Sequence, residues 1–216
     1  MKKIAVILSG CGVYDGSEIH EATMALLAVK RNGAEYEIYA PDKTQYDVVD
    51  HYHGQQSDEY RNVLVEAARI ARGNIKPLRE LDINAVDAIL FPGGFGVAKN
   101  LSSYAFKGAD YDVLPEVGEL IGSMYAQGKP IGAMCIAPIL LAKSLGKVSV
   151  TIGSSDDDAA KAIGGVGATH VATTSGNICI DKANKVVTAP CYMLNANITN
   201  IFEEADKLVK ELIAMM

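Results

Sequence analysis

The strongest constraint on this chain is an alternation. Short apolar runs rich in β-branched residues are each bounded by Gly, Pro or Asp, and between them apolar residues recur every three to four positions. Residues 4–8, 35–39, 88–91, 130–134 and 147–152 read as strands. Ile19, Ala22, Thr23, Leu26 and Leu27 mark a helix face that stops at Gly33. Tyr60 to Ala71 mark a second helix before Gly73, Val113 to Met124 a third before Gly128, and Ile198 to Met216 a last one. Strands that are apolar throughout are covered on both faces. The pattern therefore predicts an α/β domain over residues 1–216, with a mostly parallel sheet and helices on both faces. Residues 171–175, 178–181 and 185–189 are closely spaced, with a turn at 181–184, and predict an antiparallel hairpin near the sheet edge. The polar stretch 42–54 predicts an excursion over the active face.

Composition excludes several functions. The net charge is −6 and Lys and Arg are scattered, which argues against a nucleic-acid groove or an anionic membrane surface. No apolar run approaches the roughly 18–20 residues of a membrane span. The four cysteines, Cys11, Cys135, Cys179 and Cys191, form no CxxC pair and are too few for a disulfide framework. Lys2-Lys3 and the run up to Cys11 resemble a lipoprotein signal, but the apolar segment is five residues where about 7–15 are needed. It reads as a buried first strand of a cytoplasmic protein with reduced thiols.

In a parallel sheet, ligands bind beyond the carboxyl ends of the strands. Three glycine- or cysteine-bearing loops fall there. The first, Gly10-Cys11-Gly12-Val13-Tyr14-Asp15-Gly16, fails the dinucleotide fingerprint because Asp15 takes the place of its last glycine. Cys11 lies in this loop, either near the reactive centre or as a packed small residue. The second, Pro92-Gly93-Gly94-Phe95-Gly96, offers backbone N–H groups to an oxyanion, or is an ordinary strand-to-helix turn. The third, Gly132-Ala133-Met134-Cys135-Ile136-Ala137-Pro138, passes from strand to helix at Cys135. A side chain there stands on a nucleophile elbow, and the helix dipole favours thiolate. The alternative is a buried structural cysteine.

These residues together resemble the ThiJ/PfpI superfamily of class I glutamine amidotransferase-like proteins, and the phrases 8–22, 92–101 and 134–138 are similar to its ElbB family. The resemblance implies a flavodoxin-like three-layer sandwich, a homodimer, and a glutathione-independent glyoxalase that converts glyoxal, a small dicarbonyl, to glycolate without a cofactor. It implies Cys135 as nucleophile, Glu21 as the carboxyl touching the thiol, and Gly93, Gly94 and Ile136 as oxyanion or substrate donors, with Cys11 on the substrate side. A raised pKa is expected for a Glu buried beside that thiol. Many relatives carry a His after the next strand. Residues 150–154 hold none, which disfavours an amidase and implies slow turnover. His20 neighbours Glu21 but points about 100° away on the helix. His51 and His53 have no third metal ligand nearby, and His170 reads as structural. Asp156-Asp157-Asp158 read as a helix cap, so no metal is expected. The rival reading is a redox sensor or binding protein that uses the same cysteine.

Overall fold

Residue alternation along the first strand already divides the molecule. In the computed structural model, which describes residues 1–216, Ala5 and Ile7 join one apolar cluster while Ile4, Val6 and Leu8 join another on the opposite face. The elements in chain order are β1 (Lys3–Ile7), α1 (Ile19–Arg31), β2 (Glu35–Ala40), β3 (Val48–Asp50), β4 (Gln55–Ser57), α2 (Val63–Ile70), β5 (Lys76–Pro77) and β6 (Ala88–Phe91). There follow α3 (Phe95–Lys99), α4 (Tyr104–Lys107), α5 (Pro115–Ala126), β7 (Ile131–Met134), α6 (Pro138–Leu145), β8 (Ser149–Val150), α7 (Asp158–Gly165), β9 (Thr169–His170), β10 (Cys179–Asp181), β11 (Val186–Ala189) and α8 (Ile198–Met215).

Seven strands form one sheet in the order β10-β11-β7-β6-β1-β2-β5. Every pairing in it is parallel except β10 with β11, the edge hairpin. One face is covered by α5, α6 and α7 through residues such as Ile121, Leu140 and Ile163. The other is covered by α1, α2 and α8 through Ala22, Ala67 and Leu208. This is the flavodoxin-like three-layer arrangement. No helix is long and apolar enough to cross a membrane.

Four expectations are corrected. Residues 147–152 are not a strand of the main sheet: only β8 forms there, paired with β9 in a separate two-stranded sheet. The reason is that β11 is already bonded on both edges, to β7 and β10. Thr151 reaches it only by donating its N–H to the Thr188 side chain at 2.8 Å. Residues 171–175 form no strand. The helix expected from Tyr60 starts at Val63, behind an Asn62 cap, and Tyr60 is exposed. The buried face of α1 carries Glu21, Ala22, Ala25, Ala28 and Val29, whereas Ile19 and Leu27 are exposed. Small alanines let α1 lie close to α8 and the sheet, so bulk was a poor guide to which face is buried.

Candidate active site

The elbow is as sharp as the sequence implied. Cys135 follows β7 with φ +58, in the left-handed region that non-glycine residues rarely occupy. Its N–H donates to the Ala189 carbonyl at 2.8 Å, which ties the elbow to the end of β11. Pro138 then opens α6, where a missing N–H costs nothing.

Glu21, on the second residue after the first turn of α1 begins, is fully buried and its carboxyl meets the Cys135 thiol. Its Oε2 accepts the Gly93 N–H at 3.0 Å and its Oε1 accepts the Tyr192 N–H at 3.3 Å. Gly93 permits the meeting. A Cβ there would stand 2.3 Å from Cys135 Cβ and 2.5 Å from Glu21 Oε2. Gly94, with φ +102, is equally constrained, since a Cβ would lie 2.3 Å from the Gly16 carbonyl oxygen.

Burial raises the Glu21 carboxyl to about 8, and the neighbouring Glu18 charge adds to this, while bonds from Cys135, Tyr192 and Gly93 oppose it. Burial also pushes the Cys135 thiol well up, and the Glu21 charge adds to that, against the N–H groups of Gly94 and Ile136 that point at the sulfur. The expectation that the helix dipole would favour thiolate is therefore corrected. The two backbone donors are present but are outweighed by burial and a carboxyl neighbour. The Glu21 charge makes the thiol harder to ionise, while the hydrogen bond from the thiol eases ionisation of the carboxyl that burial opposes.

Gly93 is a second correction, because its N–H is spent on Glu21 rather than aimed at substrate. Gly94 and Ile136 are the donors left beside the sulfur. Cys11 is a third. Its half-exposed thiol is influenced by Glu66 and Arg69 of α2, and it does not line the Cys135 cavity. The first loop closes on itself through Gly12 N–H to Ser17 O and Gly16 N–H to Gly12 O, both 2.8 Å. Stretch 42–54 covers this loop: Tyr14 N–H donates to His51 Nε2 at 3.2 Å and Val49 N–H to Asp15 Oδ2 at 2.8 Å. His53 bonds Asp50 instead, and no group of three or more His, Cys, Asp or Glu is placed to hold a metal.

The cysteine that does lie near the reactive pair is Cys191. It has φ +47 and is fully buried, and its thiol is pushed well up by burial and by the charges of Glu21, Glu204 and Cys135. Glu204, also fully buried, accepts the Cys191 N–H at 2.7 Å through Oε2 and the Gly176 N–H at 2.7 Å through Oε1. The signal for it was present in α8: Glu204 falls on the apolar stripe of Ile201, Ala205, Leu208 and Leu212.

A cavity of about 300 Å³ opens over Cys135, walled by Ile136, Phe95, Tyr104, Tyr192 and Met193. Glu18 and Asp157 are its charged residues, and no His lines it. Asp157 caps α7 by accepting the Ala159 N–H, as the sequence implied. His20 Nδ1 lies 2.9 Å from the Tyr192 hydroxyl, outside that lining.

A parallel three-layer sheet with a cysteine elbow and a facing carboxyl defines a ThiJ/PfpI-type, class I amidotransferase-like domain. The human glutamine amidotransferase-like class 1 domain-containing protein 3, mitochondrial, is 44% identical over 222 residues, covering 99% of this chain and 83% of the relative. The chain belongs to this glutamine amidotransferase-like class 1 family, with its ElbB-like members. The crystal structure of an isoprenoid biosynthesis protein with amidotransferase-like domain from Ehrlichia chaffeensis is 35% identical, covers 99% of this chain and 100% of that one, and superposes with a TM-score of 0.91. Glyoxalase III from Candida albicans shares the fold, with a TM-score of 0.65 at 16% identity over 100% of this chain and 97% of that one. No family model matches the chain. The cytoplasmic assignment is overturned: the curated relatives from human, rat and zebrafish are all named as mitochondrial proteins.

Proposed function

We propose that the protein is a glutathione-independent glyoxalase that converts glyoxal to glycolate through a hemithioacetal on Cys135. The carrying observation is the elbow thiol in contact with the buried Glu21 carboxyl at the floor of a cavity. The Candida structure of this fold bears the name glyoxalase III, which supports the choice among the superfamily's chemistries.

The Glu21 carboxylate takes the thiol proton as sulfur adds to one aldehyde carbon, so no free thiolate is needed. The alkoxide is met by the Gly94 and Ile136 N–H groups as the sulfur turns toward substrate. Glu21 passes the thiol proton to the alkoxide, which regenerates the carboxylate; the carboxylate then removes the hydrogen from the sulfur-bearing carbon and returns it to the other carbon through an enediol, while the hydroxyl proton moves from the first oxygen to the second. The first carbon is oxidised and the second reduced, so no external oxidant enters. The thioester takes up water and releases glycolate, restoring the thiol.

Because the base form of Glu21 is required, glycolate formation is expected to rise with pH through about 8. The redox-sensor reading is disfavoured by the same chemistry, since a thiol held protonated oxidises slowly. The dimer implied by the resemblance belongs to this proposal and is read by sedimentation. The functional test is glycolate release from glyoxal by the wild type and by Cys135→Ala. Equal release by a folded Cys135→Ala protein would remove the proposal.

A further inference from the structure

We infer that a second ligand site lies across α4 from the Cys135 cavity, and that it takes a small molecule bearing an anionic group on an aromatic ring. The inference is independent of the chemistry at Cys135.

The shape comes from three segments. Residues 43–46, the end of α3 and residues 102–115 enclose a cavity of about 350 Å³, within the roughly 300–1,000 Å³ of small-molecule sites. α4 parts it from the reactive cavity: Tyr104 and Ala105 line that one, while Phe106 and Lys107 line this one. Asn100 holds the walls together. It is buried, its side-chain amide donates to the carbonyls of Ser9 and Asp15 at 3.0 and 2.9 Å, and its Oδ1 accepts the Tyr46 N–H at 2.9 Å. The cavity is therefore preformed and not a gap between loose loops.

Charge is the second argument. The lining carries three lysines, Lys43, Lys99 and Lys107, and one acid, Asp112. The chain as a whole has a net charge of −6, so this grouping runs against its composition. Lys99 is already committed: it lies 2.7 Å from Asp47, and both side chains are mostly buried. Lys107 lies 2.7 Å from Asp112, but both side chains are more than half exposed, and such pairs contribute little. Lys43 forms no ion pair. Its ammonium donates to the Asn100 carbonyl at 3.3 Å, and Glu116 of α5 acts on it only from beyond 4 Å. Two ammonium groups are thus open to an anion.

The rings are the third. Tyr46 and Phe106 line the cavity stacked on one another, with centroids 3.9 Å apart and 30° between the planes. They are 60% and 47% exposed and belong to neither apolar cluster of the core. Val113, Leu114 and Pro115 continue the apolar surface. A ring laid against these side chains leaves water while its anionic group meets Lys43 and Lys107. Inorganic phosphate engages the lysines alone and a neutral ring the apolar side alone, so the ligand that fits carries both.

Phenyl phosphate is the probe, with inorganic phosphate and phenol as its two halves. Calorimetry on the wild type is expected to show phenyl phosphate binding at least about tenfold tighter than either half. Its affinity should fall as salt rises. Lys43→Met keeps an apolar stem and should weaken binding by at least about tenfold. Asp112→Asn removes the competing carboxylate and should tighten binding about threefold, a gain that a disturbed fold does not give. Carbamidomethylation of Cys135 should leave the affinity unchanged, since the adduct fills the other cavity. No binding at about 10 mM phenyl phosphate, or a half that binds as tightly, would overturn the inference. So would an affinity that ignores salt, survives Lys43→Met, fails to rise in Asp112→Asn, or is lost on modifying Cys135.

Discussion

Cys135 and Cys191 are built from the same parts. Each follows the end of one of two neighbouring parallel strands, β7 and β11, whose last residues Met134 and Ala189 are register partners. Each has a left-handed φ, and each lies against a buried glutamate that accepts two backbone N–H groups. The difference is access. Cys135 lines the cavity, while Cys191 is fully buried and does not line it. A carboxyl beside a thiol is thus not sufficient for chemistry. Where a ligand can enter, the pair is the catalytic site we propose. Where it cannot, the same pair fastens the 190–193 turn that presents the Tyr192 N–H to Glu21.

The largest expected effect is the loss of glycolate formation in Cys135→Ala with an unchanged circular dichroism spectrum. Cys191→Ala is its counterpart and should leave the rate near wild type; a comparable loss there would erase the contrast. Next, Glu21→Gln is expected to slow glycolate formation by at least roughly a hundredfold, the lower range for removing a general acid–base group. Hemithioacetal labelling of Cys135 should slow as well, because Glu21 also takes the thiol proton in the addition step.

Stability gives a second reading of the same residue. The folded-state carboxyl of Glu21 is raised from 4.5 to about 8, so the folded chain binds a proton more tightly than the unfolded one between those values. The wild type therefore loses stability relative to Glu21→Gln as pH rises from about 5 to 8, and is not further penalised above that. Melting curves across this range check the sign, and a difference independent of pH would contradict the raised carboxyl.

A smaller effect is expected for Glu204→Gln. Its partners, the N–H groups of Gly176 and Cys191, are both donors, and an amide presents an NH₂ group to one of them. Leaving one buried donor unsatisfied costs about 1–3 kcal/mol. At about 2–4 °C per kcal/mol for a chain of this size, the melting temperature should fall by several degrees. Turnover should fall less than in Glu21→Gln, because Glu204 acts only through the turn. The smallest effect is in Cys179→Ala, on the edge strand β10, where neither rate nor pH profile should move.

The elbow was readable because its cues are local: an apolar strand, a cysteine with small neighbours, then a proline within the first turn. Glu21 was legible only through resemblance, since its buried face of α1 is made of alanines and not of the larger Ile19 and Leu27. The Glu204–Cys191 pair was missed because it joins a helix to a turn, and neither partner is unusual alone. A glutamate on the apolar stripe of α8 was the available clue. Residues 147–152 misled because strand pattern does not say whether a free sheet edge exists to receive it. The hairpin of β10 and β11 had already taken it.

The tie between Glu204 and the 190–193 turn also has a consequence in time. On the ribosome, β7 and the elbow emerge well before α8. Until residues 186–204 follow, β7 lacks its neighbour β11, Tyr192 offers no N–H to Glu21, and the elbow has nothing to close it. Domains fold as units, so the reactive pair is assembled by one of the last segments to be made. A nascent or prematurely ended chain then presents Cys135 without an ordered carboxyl beside it, and on the proposed mechanism its reaction with aldehydes waits until synthesis has passed α8.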